Sequence, residues 1–253
     1  MNAESPRQSS FLCAPWSQTP IAPWLFSLLL LALLTAMRFY AAFGPPQARI
    51  LFLIQFLVMW ALPFIVLTAQ GRREIGLRKL GTSSALALSA LAGACSGFAV
   101  YAVGMVLFGA SPDNWCVSIR DEFQIAQLRT AMPLGAAFAA VVLPAMIFSP
   151  IGEEILFRGL LQQSFVRRWN VSVATMVNGL AFGLVHLHVH GLWHDAAGFH
   201  LRLVSGALMV LLMAGVSAVF TLCRQRSGSL YAAMIAHSAC NLAMIGAIFF
   251  HYA

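Results

Sequence analysis

Long apolar runs separated by short polar stretches organise this chain. Runs long enough to cross a bilayer, about 20 residues, fall at Ile21–Ala42, Ile50–Gln70, Thr82–Gly109, Met132–Arg167, Val171–Leu187, Leu203–Cys223 and Ser229–His251. Met132–Arg167 is longer than one span needs. Pro150 and Gly152 permit a kink or break inside it, so eight elements is the alternative count. The pattern predicts an all-α polytopic membrane protein, a bundle of seven (alternatively eight) transmembrane helices forming one domain over residues 21–253. Met1 to Pro20 is polar and bears Ser and Pro, and is expected to be a disordered tail. It does not look like a signal peptide, because the apolar run after it is long and ends in no small-x-small cleavage site.

Composition agrees. Hydrophobic residues make up 60% of the chain and charged residues 9%, against about 25% charged in soluble domains. A spanning β-barrel would show short alternating segments rather than continuous apolar runs. The net charge of +7 reflects topology, since the basic residues form no long run or stripe that would suit nucleic acid. Arg72, Arg73, Arg78 and Lys79 form the strongest cluster, so the loop after the second span is expected in the cytoplasm. Seven spans put Arg7, Arg167, Arg168, Arg224 and Arg226 on that side too. Arg38, Arg49, Arg120, Arg129 and Arg202 fall opposite. Ala110–Thr130, with Asp113, Asp121 and Glu122, is expected along the interface. Cys13, Cys95, Cys116, Cys223 and Cys240 have neither metal-like nor disulfide-like spacing and read as small buried hydrophobes.

Only 8 residues are acidic, and two of them, Glu153 and Glu154, sit in an apolar stretch of the fourth span. Ionisable groups at membrane depth are costly and face a bundle interior or a wet cavity. Glu154 and Arg158 stand at i and i+4, the favoured order for an ion pair on a helix. Glu153 points about 100° away around the helix and is expected to be unpaired. Asn178, Phe182 and His186 form one stripe of the next span, where Gly179 and Gly183 permit close helix approach. If Trp169–Asn170 is the turn of an antiparallel hairpin, Glu153 and His186 both stand about 24–25 Å from it and are level. The last span adds His237 and Asn241 on one face. A buried ion pair, a satisfied buried histidine and interhelical polar glue would explain these features singly. Three such faces argue for one site.

Glu153-Glu154-x-x-x-Arg158, Phe182-x-x-x-His186 and His237-x-x-x-Asn241, in this order on three membrane helices, resemble the three motifs of the CAAX-protease and bacteriocin-processing (CPBP, or ABI) family of intramembrane endopeptidases. The resemblance covers about Phe148 to Leu242. It implies a glutamate-dependent peptidase without a required metal or cofactor, acting on membrane-associated or lipidated proteins in the bilayer. Glu153 would be the general base that deprotonates water. His186 and Asn241 would stabilise the oxyanion, His237 would help hold the water, and Glu154 and Arg158 would support these groups. The N-terminal third matches only as hydrophobic spans.

Three other readings compete. His186, His188, His190, His194 and His200, with Asp195, crowd one span end and the following loop, as in a metal-dependent membrane peptidase. The zinc-peptidase pattern His-Glu-x-x-His is absent, however, and the loop histidines also read as a solvated interfacial loop, with His251 incidental. A non-catalytic membrane scaffold or immunity protein would keep the fold without needing the carboxylate. A transporter would show an inverted repeat, and none is visible. The compact, short-looped chain suggests a bacterial plasma membrane. Neither the substrate nor the oligomeric state can be read from the sequence.

Overall fold

The computed structural model describes residues 11–78 and 82–252; Arg7 and Lys79 of the charge pattern lie outside them. Seven helices are long and apolar enough to cross a membrane: Pro23–Phe43, Pro46–Val66, Ser83–Phe108, Leu134–Arg168, Val171–His188, Leu203–Ser227 and Leu230–His251. The chain is an integral multi-pass membrane protein of all-α class. We number the helical elements α1 (Pro23–Phe43), α2 (Ile50–Val66), α3 (Ala69–Glu74), α4 (Ser83–Phe108), α5 (Trp115–Glu122), α6 (Ile125–Ala131), α7 (Leu134–Glu154), α8 (Gln162–Arg168), α9 (Val171–Val185), α10 (Leu203–Ser227) and α11 (Leu230–His251). A π-helical segment, Ile155–Leu161, joins α7 to α8. A small hairpin, β1 (Leu192–Asp195) and β2 (Gly198–Leu201), lies between α9 and α10.

The fourth span is one continuous element, so the eight-element count is not realised. Pro150 has no N–H for the Met146 carbonyl, which would ordinarily break the helix. The Ser238 hydroxyl of α11 donates to that carbonyl at 2.7 Å instead. A partner from another helix keeps the backbone satisfied where lipid offers nothing. The 35 residues of this span would extend about 50 Å at 1.5 Å per residue, well beyond a hydrocarbon core of about 30 Å. The predicted turn at Trp169–Asn170 is present, and the Asn170 side chain accepts from the Val173 N–H at 2.9 Å, capping α9.

Small residues set the closest helix contacts. A Cβ on Gly93 would run into the Ala236 carbonyl, and one on Gly97 into that of Cys240, so α4 and α11 pack backbone to backbone. On α9, Gly183 lies against the Val210 carbonyl and Gly179 against Ala214 of α10. Without a hydrophobic driving force between helices in lipid, such close packing carries much of the association.

The N-terminal segment departs from expectation. From Phe11 onward it is packed rather than disordered: Phe11 and Leu12 are buried, and Leu12 bridges Leu67. The segment 110–130 is built as α5 and α6. Trp115 is fully buried and donates to the Val100 carbonyl at 3.0 Å, which fixes α5 over the bundle. Of the five cysteines, all free, Cys116 and Cys240 are buried while Cys95 is exposed.

Gly93→Val should push α11 away from α4 at a cost of about 1–3 kcal/mol, the range for overpacking. A lower thermal midpoint in detergent would show it; an unchanged midpoint would mean that the two backbones do not touch.

Candidate active site

The local chain geometry puts two carboxylates side by side at the end of α7, pointing in different directions. Glu153 and Glu154 are 2% and 0% exposed, and neither could stay charged there without a partner. Each has its own guanidinium.

Glu154 Oε1 accepts from Arg158 Nη1 at 2.9 Å, the i, i+4 pair expected from the spacing. Arg158 sits in the wide turn of the π segment, where all seven residues are buried. The guanidinium carbon lies 4.3 Å from the ring centre of Phe182 and 5.1 Å from that of Phe220. These aromatic faces attract a cation whose Nε and Nη2 have no hydrogen bond among the described residues. Glu154 Oε1 also receives His237 Nδ1 at 2.8 Å. The His237 ring stacks on Phe220 with centroids 4.8 Å apart, so both its tilt and its position are fixed. With Nδ1–H donated to Glu154, the neutral ring presents Nε2 as an acceptor. That atom is 4.0 Å from Glu153 Oε2.

Glu153 departs from expectation. It is not unpaired: Arg38 of α1 brings Nη2 to 2.8 Å from Glu153 Oε1. Arg38 is 3% exposed and is buried within α1, although the charge pattern counted it with the basic residues of the outer side. Its guanidinium carbon lies 5.4 Å from the centre of the Phe56 ring. Gln55, with its amide turned to donate to the Leu34 carbonyl, accepts from Arg38 Nε, each at 3.2 Å. Sequence reasoning missed Arg38, and its only signal was a lone arginine four residues before the end of an apolar run. Glu153 Oε2 is left without a hydrogen bond among the described residues.

A cavity of about 440 Å³ opens at this oxygen, lined by residues of all three motifs: Glu153, Phe182, His186, His237 and Asn241, with Arg38 and His188 beside them. His186 Nδ1 donates to the Phe182 carbonyl at 2.6 Å, and Asn241 Nδ2 donates to the Ala145 carbonyl at 2.8 Å, keeping one N–H free. Glu153 and His186, expected at one level across the α8–α9 turn, line the same cavity. Asn178, from the same stripe as His186, does not line the cavity; it is buried, and neither amide atom has a hydrogen bond among the described residues. The rest of the wall is largely apolar, with Phe52, Leu53, Phe56, Met209 and Met213. Ile119, Glu122 and Phe123 contribute from α5 and the turn after it, so the segment expected at the interface forms part of this wall.

The histidines after α9 have different fates, and a single solvated loop describes only some of them. His188 faces the cavity, with its ring about 6 Å from Phe39 (6.0 Å) and Phe52 (5.9 Å). His190 is fully buried between Ser118 on Nδ1 at 2.8 Å and Ser205 on Nε2 at 2.9 Å. Burial lowers its pKa to about 4, so the neutral ring donates to one serine and accepts from the other. His194 is exposed, His200 pairs with Asp195 at 2.9 Å, and His251 bonds the Tyr101 hydroxyl at 3.0 Å. Among the described residues no three His, Cys, Asp or Glu side chains are gathered as a metal ion would require.

Residues 135–243 match the family model described as type II CAAX prenyl endopeptidase Rce1-like. Over this stretch the chain is similar to the CAAX prenyl endopeptidases that the model describes. No curated protein and no solved structure matches. The Rce1-like stretch runs from α7 into α11 and holds all three motifs, which supports a membrane endopeptidase in general. Helix α1, which supplies Arg38, lies outside it.

Glu154→Gln removes the anion between Arg158 and His237 and strands a buried guanidinium. Removing one partner of a buried pair costs about 3–5 kcal/mol, so the thermal midpoint and the yield of folded protein should both fall. An unchanged midpoint would show that the pair is not buried as described.

Proposed function

We propose that this protein hydrolyses peptide bonds of membrane-associated or lipidated protein substrates, using water activated by Glu153. The observation that carries the proposal is the free Oε2 of Glu153, 4.0 Å from His237 Nε2 at the edge of the cavity. That gap suits a water hydrogen-bonded to both atoms. The water donates one hydrogen to the carboxylate and the other to the imidazole.

Glu153 takes a proton from the water as its oxygen attacks the scissile carbonyl carbon. The carbonyl π pair moves onto oxygen and a tetrahedral oxyanion forms. The second N–H of Asn241 is one donor for it. His186 faces the same cavity, its Nδ1–H held by the Phe182 carbonyl. Donors fixed in a dry site stabilise such charge far more than they would in water. The proton held by Glu153 passes to the leaving nitrogen, the C–N bond breaks, and the carboxylate returns to its starting state.

The remaining groups act on these. Glu154 fixes the His237 tautomer, as a carboxylate does when it holds an imidazole for proton transfer. Arg158 neutralises Glu154, and Arg38 supplies the counter-charge that lets Glu153 stay ionised at this depth. A side chain held on its Oε1 edge is restricted in rotation, which aims Oε2 at the cavity. The apolar wall gives a lipid tail or hydrophobic peptide segment a place beside the scissile bond.

Glu153→Gln should abolish cleavage of a membrane-anchored peptide in proteoliposomes, a loss of about 10²–10⁴-fold or more. It should still insert and purify as a monodisperse protein, with a lower thermal midpoint because Arg38 loses its partner, and wild type should cleave equally in the presence of a strong chelator. Cleavage by the variant would refute the general-base role, and loss in chelator would favour a metal-dependent reaction.

A further inference from the structure

A second cavity lies apart from the candidate active site, at one end of the bundle where α3 meets the α10–α11 turn. It measures about 410 Å³, and its lining includes Gln70, Arg73, Glu74, Arg78, Arg224 and Gly228. The wall combines three guanidiniums with a single carboxylate.

That carboxylate is already engaged. Glu74 Oε2 accepts from Arg167 Nη1 at 2.7 Å, and Oε1 accepts from Gln70 Nε2 at 3.0 Å. Its charge is matched by Arg167, so it does not neutralise the other arginines. Arg224 is held rigidly: Nε donates to the Ile75 carbonyl at 3.1 Å, and Nη2 to the Glu74 carbonyl at 3.0 Å and to Gln163 at 3.1 Å. Arg78 donates from Nε to the Gly228 carbonyl at 2.6 Å, which leaves its two Nη groups available. Arg73 is exposed and forms no ion pair among the described residues. Three positive charges thus converge on one polar recess whose single carboxylate among the described residues, Glu74, is already paired with Arg167.

The position of the recess indicates the source of the anion. Arg224 lies in the last turn of the span Leu203–Ser227, and Arg73 and Arg78 lie in the connection between the spans ending at Val66 and starting at Ser83. This is the headgroup level of a bilayer, on the face that the basic-residue bias places in the cytoplasm. Leu222 and Tyr231, which flank the α10–α11 turn, are exposed outward where acyl chains would run. Basic pockets between spans at that face suit anionic headgroups, and guanidinium forks match phosphate oxygens.

We propose that this recess binds the phosphate of an anionic lipid headgroup. The bound phosphate would tie α3 to the α10–α11 turn. Through the Glu74–Arg167 pair and the contact of Ile75 with Gly159, it would brace the π segment that carries Arg158.

The test uses the full chain in nanodiscs of phosphatidylcholine alone or with added phosphatidylglycerol, and compares wild type with the double variant Arg73→Gln/Arg78→Gln. Phosphatidylglycerol should raise the wild-type thermal midpoint by about 5 °C, the scale expected for a saturating ligand, and native mass spectrometry should show a retained lipid. The double variant should fold with the wild-type midpoint in phosphatidylcholine and lose both effects. An equal rise in the double variant, or no rise in wild type, would overturn the proposal. A third arm adds inorganic phosphate to the phosphatidylcholine discs. The same rise there would also overturn it, by assigning the recess to a soluble phosphate.

Discussion

Everything in this bundle is arranged around the cost of keeping two carboxylates buried at membrane depth. A charge at membrane depth is tolerated only when an opposite charge and further polar contacts meet it. Glu153 and Glu154 are consecutive, so they leave the helix in different directions and cannot share one cation. Glu154 finds Arg158 one turn along its own helix. Glu153 must reach another part of the chain and finds Arg38 on α1. The first pair is local and holds the π segment; the second fastens the first span to the fourth.

The two pairs have different consequences. In the Glu154 pair a single oxygen, Oε1, holds Arg158 and His237 together, while Oε2 is buried without a hydrogen bond among the described residues. Glu154 therefore sets the position of an imidazole on the last span. In the Glu153 pair only Oε1 is held, and Oε2 stays open to the cavity. A single motif thus supplies one carboxylate that organises the site and another able to act in it. The aromatic rings of Phe182 and Phe220 join these tasks, since the Arg158 cation and the His237 ring both rest on them.

Much of this was legible in the sequence because it depends on local spacing. The seven spans follow from run length, the Trp169–Asn170 turn from the break between two runs, and the Glu154–Arg158 contact from the helical repeat. That Glu153 and His186 line one cavity agrees with counting residues to a shared turn. What escaped is nonlocal. Arg38 is 115 positions from Glu153 in the chain, and nothing around it distinguishes a buried cation from a flanking one. The helix continues through Pro150 because Ser238 of α11 serves the orphaned carbonyl, which no reading of α7 alone could reveal. The packing of Phe11 and the contribution of α5 to the cavity wall likewise rest on contacts with distant helices. The family match, confined to residues 135–243, includes the three motifs but not the helix that completes their charge balance.

The most direct measurement of this account is a double-mutant cycle between Arg38 and Glu153, read in the thermal stability of the reconstituted protein. The single variants Arg38→Met and Glu153→Gln each strand a buried charge, whereas the double variant removes both. The account predicts that the double variant is more stable than the summed losses imply, by about 1–3 kcal/mol. Losses that add to within about 0.5 kcal/mol would mean that the first span does not meet the fourth at Glu153, and the site described here would not exist.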